Sequence, residues 1–320
     1  MDKPRILFMG TPAFALPALR LLHEQKYPVI GVVSQPDRPQ GRGLKEVAPP
    51  VKTLAQELDL PVFQPEKVKD PFFMDIFQIL NPDMVVVAAF GQILPKDIIE
   101  YPPLKCLNIH PSLLPKYRGA APLNWQIIRG ETKTGVTIML MNEGMDEGDI
   151  LLQEETPLGA NETYGDLHDR LAQLGAALLI KTIGQVVDKT AKRQPQDAAA
   201  MTLAPRLKKE TGKIDWHNSA SVIVNLIRGL SPTPAAYTQL EGQALKIFTA
   251  EASLGKISGK IPGKIIDAPG TIGMDEAGEI TVAASDGCII LKDVQLAGKK
   301  KMLAKDFLRG YRLKPGTILE

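Results

Sequence analysis

Between residues 5 and 110 the chain repeats one unit: a continuous apolar run, a turn, and a stretch with one apolar helical face. The runs are Arg5–Met9, Val29–Val33, Pro61–Phe63, Asp83–Ala89 and Lys105–Ile109. Residues that are apolar at nearly every position, rather than at every second one, belong to strands buried on both faces. Between them, Phe14, Ala15, Ala18, Leu19 and Leu22 line one side of a helix, and Val51–Leu58 and Pro71–Leu80 read as two more. Pro95–Ile99 is a short helical turn. Strand and helix in alternation with short connections imply α/β: a doubly wound, mostly parallel, Rossmann-like sheet. One segment breaks the rhythm. Gln35–Pro50 reads as a long polar loop with four prolines, two glycines, Arg38, Arg42 and Lys45.

After residue 110 the pattern loosens. Leu123–Arg129 reads as a helix, and Thr134–Met139 and Asp149–Glu155 as strands around the acid- and glycine-rich loop Asn142–Gly148. Tyr164–Val187 is a long amphipathic helix, with apolar residues at Leu167, Leu171, Leu174, Ala177, Leu178 and Ile180. Asp188–Arg206 is polar and weakly patterned. Beyond it the character changes to a short helix, Ser219–Gly229, and then short strand candidates between Gly- or Pro-bearing turns: Ala236–Leu240, Ala244–Ala252, Gly263–Asp267, Ile280–Ala284 and Cys288–Val294. That pattern suggests a small β-barrel, OB-like. The expected domains are therefore 1–187 and 207–320, with 188–206 as linker.

A chain of 320 residues carries more than one ordinary core, which agrees with two domains. Its 44% hydrophobic and 23% charged content is that of a water-soluble globular protein. No apolar run is long enough to span a bilayer, and the N-terminus leads straight into a strand, so we expect neither membrane association nor a signal peptide. Cys106 and Cys288 lack metal-ligand spacing and suit a reducing cytoplasm, with no disulfide framework and no metal site. With 5% aromatics, a base-stacking platform for nucleic acid is disfavoured. The net charge of +2 hides an asymmetry: residues 1–205 sum to −3 and 206–320 to +5. A modestly basic second domain of this kind can help hold a polyanion.

The chemistry concentrates in Cys106–Pro122, C-L-N-I-H-P-S-L-L-P-K-Y-R-G-A-A-P. Asn108 and His110 alternate, so both face one side of their strand, and Pro111 ends the ladder because proline has no N–H to donate. They sit at a strand's carboxyl end, where open α/β sheets bind ligands. Gly10-Thr11-Pro12 keeps only one glycine of a dinucleotide fingerprint, which argues against NAD, and no phosphate-binding G-x-x-x-x-G-K-[ST] occurs. The best acid to join the pair is Asp146, between Gly144 and Gly148. An amide and an imidazole can donate to an oxyanion, and a carboxylate can orient the imidazole. On the residues alone this fits an α/β transferase or hydrolase acting through a tetrahedral intermediate.

Asn108–Pro122 also closely resembles the signature of formyltransferases that use 10-formyltetrahydrofolate, in which an N-x-H pair acts with a later Asp. Asn108, His110 and Asp146 match in order. Met9–Phe14, Gln35–Gly43, Ala88–Pro95, Gly135–Leu151 and Lys213–Trp216 extend the likeness over almost the whole chain, to the members that formylate initiator methionyl-tRNA. The resemblance implies 10-formyltetrahydrofolate as formyl donor, with neither metal nor NAD, and initiator methionyl-tRNA as acceptor. It implies folate contacts from Phe90, Gly91, Gln92, Ile93 and Leu94 and from Ser112, Leu113, Leu114 and Pro115. It further implies tRNA contacts from Arg42, Lys45, Lys208 and Lys209, and a cytoplasmic monomer. Formyl transfer to a small amine, such as a nucleotide-sugar or a purine precursor, would use the same three catalytic residues without Arg42 or a basic second domain.

Overall fold

The computed structural model describes residues 3–40, 45–253, 268–275, 278–311, 314 and 316–320. Arg42 and the strand candidate Gly263–Asp267 lie outside the described residues. By contacts the chain divides into two units. The first comprises residues 1–122, 133–157 and 168–205, and the second 123–132, 158–167 and 206–320.

In chain order the elements up to residue 187 are β1 (Ile6–Gly10), α1 (Leu16–Glu24), β2 (Val29–Val33), β3 (Arg38–Gln40), β4 (Lys45–Val47), α2 (Pro50–Glu57), β5 (Val62–Phe63), α3 (Pro71–Leu80), β6 (Met84–Ala88), α4 (Lys96–Glu100), β7 (Cys106–His110), α5 (Pro122–Ile128), β8 (Lys133–Leu140), β9 (Ile150–Pro157) and α6 (Tyr164–Val187). Seven strands form one sheet in the order β5-β2-β1-β6-β7-β8-β9. The pairs up to β7 are parallel, and β7–β8 and β8–β9 are antiparallel. Every residue of β1 and β6 is buried, as their uninterrupted apolar runs require. Local signals set the helix ends. Asp70 caps α3 by accepting from the Phe72 amide, Pro71 opens it, and Asn81 closes it in the left-handed region at φ 42°.

Strand order reverses between β1 and β6, and in such sheets the crevice beyond the carboxyl ends at that point receives ligands. Thr11 ties the strand ends together there: its Oγ1 donates to the Phe90 carbonyl (2.8 Å) and accepts from the Gln35 amide (3.3 Å). The Gln35–Pro50 segment is not all loop. Within it β3 and β4 pair as an antiparallel ribbon, Arg38 opposite Val47. Strands of three residues are too short to show a period in sequence. Lys52 Nζ sits 2.7 Å from Asp37 Oδ2 at the ribbon's base. Hydrogen bonds from Gln64 and then Lys52 hold the Asp37 carboxyl below its usual range.

The second unit contains α7 (Ala220–Leu230), β10 (Ala236–Leu240), β11 (Gln243–Ser253), β12 (Ile272–Met274), β13 (Ile280–Ala283), β14 (Cys288–Leu296), β15 (Met302–Leu303) and α8 (Ala304–Gly310). Its strands form a curled antiparallel sheet in the order β10-β11-β14-β13-β12, with β15 on β14. The core gathers Trp216, Ile223, Ile227, Leu245, Ile289 and Phe307. Trp216 satisfies its buried Nε1–H on Thr238 Oγ1 at 3.0 Å. β12, β15 and α8 escape the sequence reading because each presents too few buried residues for a period; α8 buries only Ala304 and Phe307. Among the described residues no helix is long and apolar enough to cross a membrane.

Candidate active site

Strand β7 lies between β6 and β8, which aligns Asn108 with Val87 and Met139 and His110 with Thr137. Cys106, Asn108 and His110 share one face by alternation. Cys106 is no nucleophile: burial pushes its thiol up to about 12, and Sγ lies 3.3 Å from the Ile98 carbonyl. Asn108 is half-buried, and its amide has no hydrogen-bond partner among the described residues. His110 is buried, with Nε2 hydrogen-bonded and Nδ1 facing a carboxylate beyond hydrogen-bond distance. Its Nε2 lies 3.0 Å from the Tyr117 carbonyl and its Nδ1 lies 3.7 Å from Asp146 Oδ2.

The Tyr117 carbonyl can only accept, so Nε2 carries a proton. The proton that His110 can gain or lose is therefore the one on Nδ1, which faces Asp146. Neutral His110 presents a lone pair there, and protonated His110 presents an N–H. Asp146 is held in turn, because Oδ2 accepts from the Gly119 amide at 2.9 Å. Two backbone groups of one turn, the Tyr117 carbonyl and the Gly119 N–H, thus hold the imidazole and the carboxylate. The turn needs unusual backbone: Tyr117 has φ 64° and Gly119 φ 121°. A Cβ at Gly119 would stand 2.8 Å from the Ala204 carbonyl oxygen. Asp146 itself is left-handed at φ 54°, in a loop where a Cβ at Gly148 would lie 1.7 Å from the Leu140 oxygen. Left-handed non-glycine residues cluster at functional sites, where surrounding structure holds them.

The turn after His110 is pinned from below by Thr137. Its Oγ1 donates to the Ser112 carbonyl (2.6 Å) and accepts from the Leu114 amide (3.2 Å) and Gln153 Nε2 (2.8 Å). Ser112 Oγ spends its proton on the Lys116 carbonyl at 2.7 Å. Leu114 is buried with Met139 and Ile150, while Leu113 and Pro115 are half-buried. In the other expected folate segment, Phe90 and Leu94 are buried, and Gly91 (φ 91°) and Ile93 are exposed. Gln92 accepts from the Val68 amide at 2.9 Å, so its side chain secures the neighbouring loop.

A cavity of about 320 Å³ opens beside the Asp146 loop. Ile99, Lys105, Met141, Asn142, Glu143 and Arg193 are among its lining residues. Neither Phe90–Leu94 nor Ser112–Pro115 lines it. Of the expected tRNA residues, Lys45 is exposed on β4, and Lys208 and Lys209 are exposed at a one-turn helix in the second unit. Among the described residues no group of three or more His, Cys, Asp or Glu side chains could hold a metal ion.

Sequence reasoning missed three groups. The Tyr117 carbonyl and the Gly119 amide are backbone, and no residue type announces them. Gln196 lies in the weakly patterned stretch after α6, yet its Nε2 donates to the carbonyls of Asp146 and Gly148, each at 2.8 Å.

Comparison with known proteins gives the family of the chain. Residues 4–183 match the formyl transferase family model, and 206–312 match the model of the formyl transferase C-terminal domain. The chain is 53% identical to methionyl-tRNA formyltransferase of Syntrophus aciditrophicus (strain SB), over 100% of both chains. It is 48% identical to methionyl-tRNA formyltransferase of Citrifermentans bemidjiense, over 100% of this chain and 97% of the relative. In fold it resembles HypX from Aquifex aeolicus in complex with tetrahydrofolic acid, with TM-score 0.63 and 17% identity, over 96% of this chain and 47% of the other. Matched in both units and nearly end to end, this chain belongs to the methionyl-tRNA formyltransferase family of formyl transferases.

Proposed function

We propose that this enzyme transfers the formyl group of 10-formyltetrahydrofolate to the α-amine of initiator methionyl-tRNA. The observation that carries the reading is the convergence of Asn108, His110 and Asp146. An amide and an imidazole share one strand face, and a carboxylate arrives from a loop 36 residues further along to within 3.7 Å of the imidazole.

The acceptor attacks as a neutral amine. An ordinary α-amine has a pKa of about 7.7–8.0, and esterification to tRNA lowers it further by electron withdrawal. A strong base is therefore unnecessary. As the N–C bond forms, the carbonyl electron pair moves onto oxygen, where the Asn108 amide donates and His110 donates through Nδ1–H, its Nε2–H being held by the Tyr117 carbonyl. Asp146 holds His110 and takes up the amine proton. The carbon–nitrogen bond to the donor then breaks as the departing folate nitrogen takes the proton back from Asp146, and the carbonyl re-forms.

The folate donor is a co-substrate, and its recognition is assigned to Phe90–Leu94 and Ser112–Pro115. Where their side chains are committed to the fold, as in Gln92 and Ser112, contact falls to backbone groups and to exposed Ile93. The cavity beside the Asp146 loop has a volume at the lower end of the range for small-molecule sites. The test is an assay with 10-formyltetrahydrofolate and charged initiator tRNA, run in parallel with small amines. Transfer to the tRNA is expected; turnover on a small amine alone would sink the tRNA reading. Asn108→Ala is expected to lower kcat by about 10²–10³-fold, the usual cost of one oxyanion donor.

Lys208 and Lys209 are assigned to phosphate contacts that position the RNA without reading its sequence. Replacing both by alanine is expected to weaken tRNA binding and to reduce the slope of log K against log salt by about 2. An unchanged slope in filter binding between about 50 and 200 mM salt would remove them from the interface.

A further inference from the structure

The structure assigns a positioning role to Arg118 and Gln196: together they form a latch that holds Asp146 at His110. The inference rests on the function proposed above and deepens it. Arg118 is a buried cation, with 8% of its side chain exposed. Its Nε and Nη2 both donate to Gln196 Oε1, at 3.0 and 2.8 Å. The opposite end of the same amide donates to the Asp146 and Gly148 carbonyls. The next residue after Arg118 is Gly119, whose N–H reaches the Asp146 carboxylate. These bonds close a ring. It runs from Gly119 to the Asp146 side chain, through the Asp146 backbone to Gln196, and through Gln196 to Arg118, the covalent neighbour of Gly119.

Both ends of Asp146 are thereby fixed, side chain by Gly119 and main chain by Gln196. A residue at φ 54° between two glycines needs such fixing, since glycine allows the loop many other conformations. Why the partner is a glutamine follows from chemistry. A side-chain amide has an oxygen that can accept two guanidinium N–H groups and an NH2 that can donate to two carbonyls, a set that a hydroxyl or a neutral imidazole cannot match. A carboxylate would pair better with Arg118 but would turn lone pairs toward the Asp146 and Gly148 oxygens. The acid near Arg118 is instead Glu147, at 3.5 Å and half-exposed. A separate set of bonds docks the backbone here: the Arg118 amide donates to the Thr202 carbonyl (2.9 Å), and the Ala121 amide to the Ala204 carbonyl (3.1 Å). Losing the latch therefore need not undock the segment.

The test compares Gln196→Ala and Gln196→Glu with the parent enzyme. A structural anchor for Arg118 survives in Gln196→Glu, and a positioning amide does not. Both variants are expected to lose about 10²-fold in kcat, the cost of a misplacement near 1 Å, with KM for both substrates changed less than about threefold. The Gly119 amide should exchange with deuterium at least about tenfold faster in both, while the Arg118 and Ala121 amides keep their protection. Retained kcat in Gln196→Glu, or unchanged Gly119 exchange, overturns the latch. Equal acceleration at Gly119, Arg118 and Ala121 also overturns it, because Gln196 would then only dock the segment. If the parent transfers no formyl group to methionyl-tRNA, the proposed function fails, and the exchange pattern alone still decides the latch.

Discussion

Asp146→Asn is expected to lower kcat for formyl transfer by about 10³–10⁴-fold, near the upper range for one acid–base group. The substitution is clean for a structural reason. Asp146 occupies the left-handed region, which asparagine tolerates as well as aspartate does. The asparagine oxygen can still accept from the Gly119 amide, so the loop has no cause to move. Only the negative charge and its proton affinity disappear. His110 Nδ1 then faces a neutral amide, and the amine proton has no carboxylate to take it up. Single-turnover kinetics with saturating donor and tRNA measure the loss directly. Turnover within about tenfold of the parent would show that Asp146 holds geometry and moves no proton.

Gly119→Ala should strike both stability and rate. At φ 121° an L-residue is strained, and such backbone costs about 1–3 kcal/mol. The new methyl also meets the Ala204 carbonyl oxygen, a backbone atom that cannot swing aside. Relief requires the turn from 117 to 119 to shift, carrying with it the carbonyl on His110 and the N–H on Asp146. Urea unfolding is expected to show a destabilisation of about 2–4 kcal/mol, in the upper range for point substitutions. kcat is expected to fall about 10²-fold at temperatures where the variant remains folded. A destabilised variant with parental kcat would separate the turn from the chemistry.

The doubly wound sheet was legible because its strands are buried on both faces, which forces long apolar runs at β1 and β6. Asn108 and His110 were legible because alternation along β7 is a geometric certainty once the strand is recognised. Asp146 was legible only as a candidate acid; its approach to His110 depends on a left-handed residue and a tight pass by Gly148, which no spacing rule conveys. The Tyr117 and Gly119 contributions were illegible because they are made by backbone. Gln196 was illegible for another reason. Its stretch packs through hydrogen bonds, as in the Ile150–Gln194 bridge and the Arg118–Leu203 bridge, and such pairing leaves no apolar period. The ribbon of β3 and β4 hid for lack of length.

The closed ring through Gly119, Asp146, Gln196 and Arg118 has a consequence for synthesis. A nascent chain emerging from a ribosome presents Asn108, His110 and Asp146 first, and Gln196 follows 50 residues after Asp146. At about 5–20 residues per second, that interval lasts about 3–10 s. During it the three candidate side chains exist without the amide proposed to order Asp146. An ordered Asp146 therefore arrives with the last part of the first unit rather than with β7, and chains truncated between 146 and 196 would carry the three candidate side chains without the proposed latch.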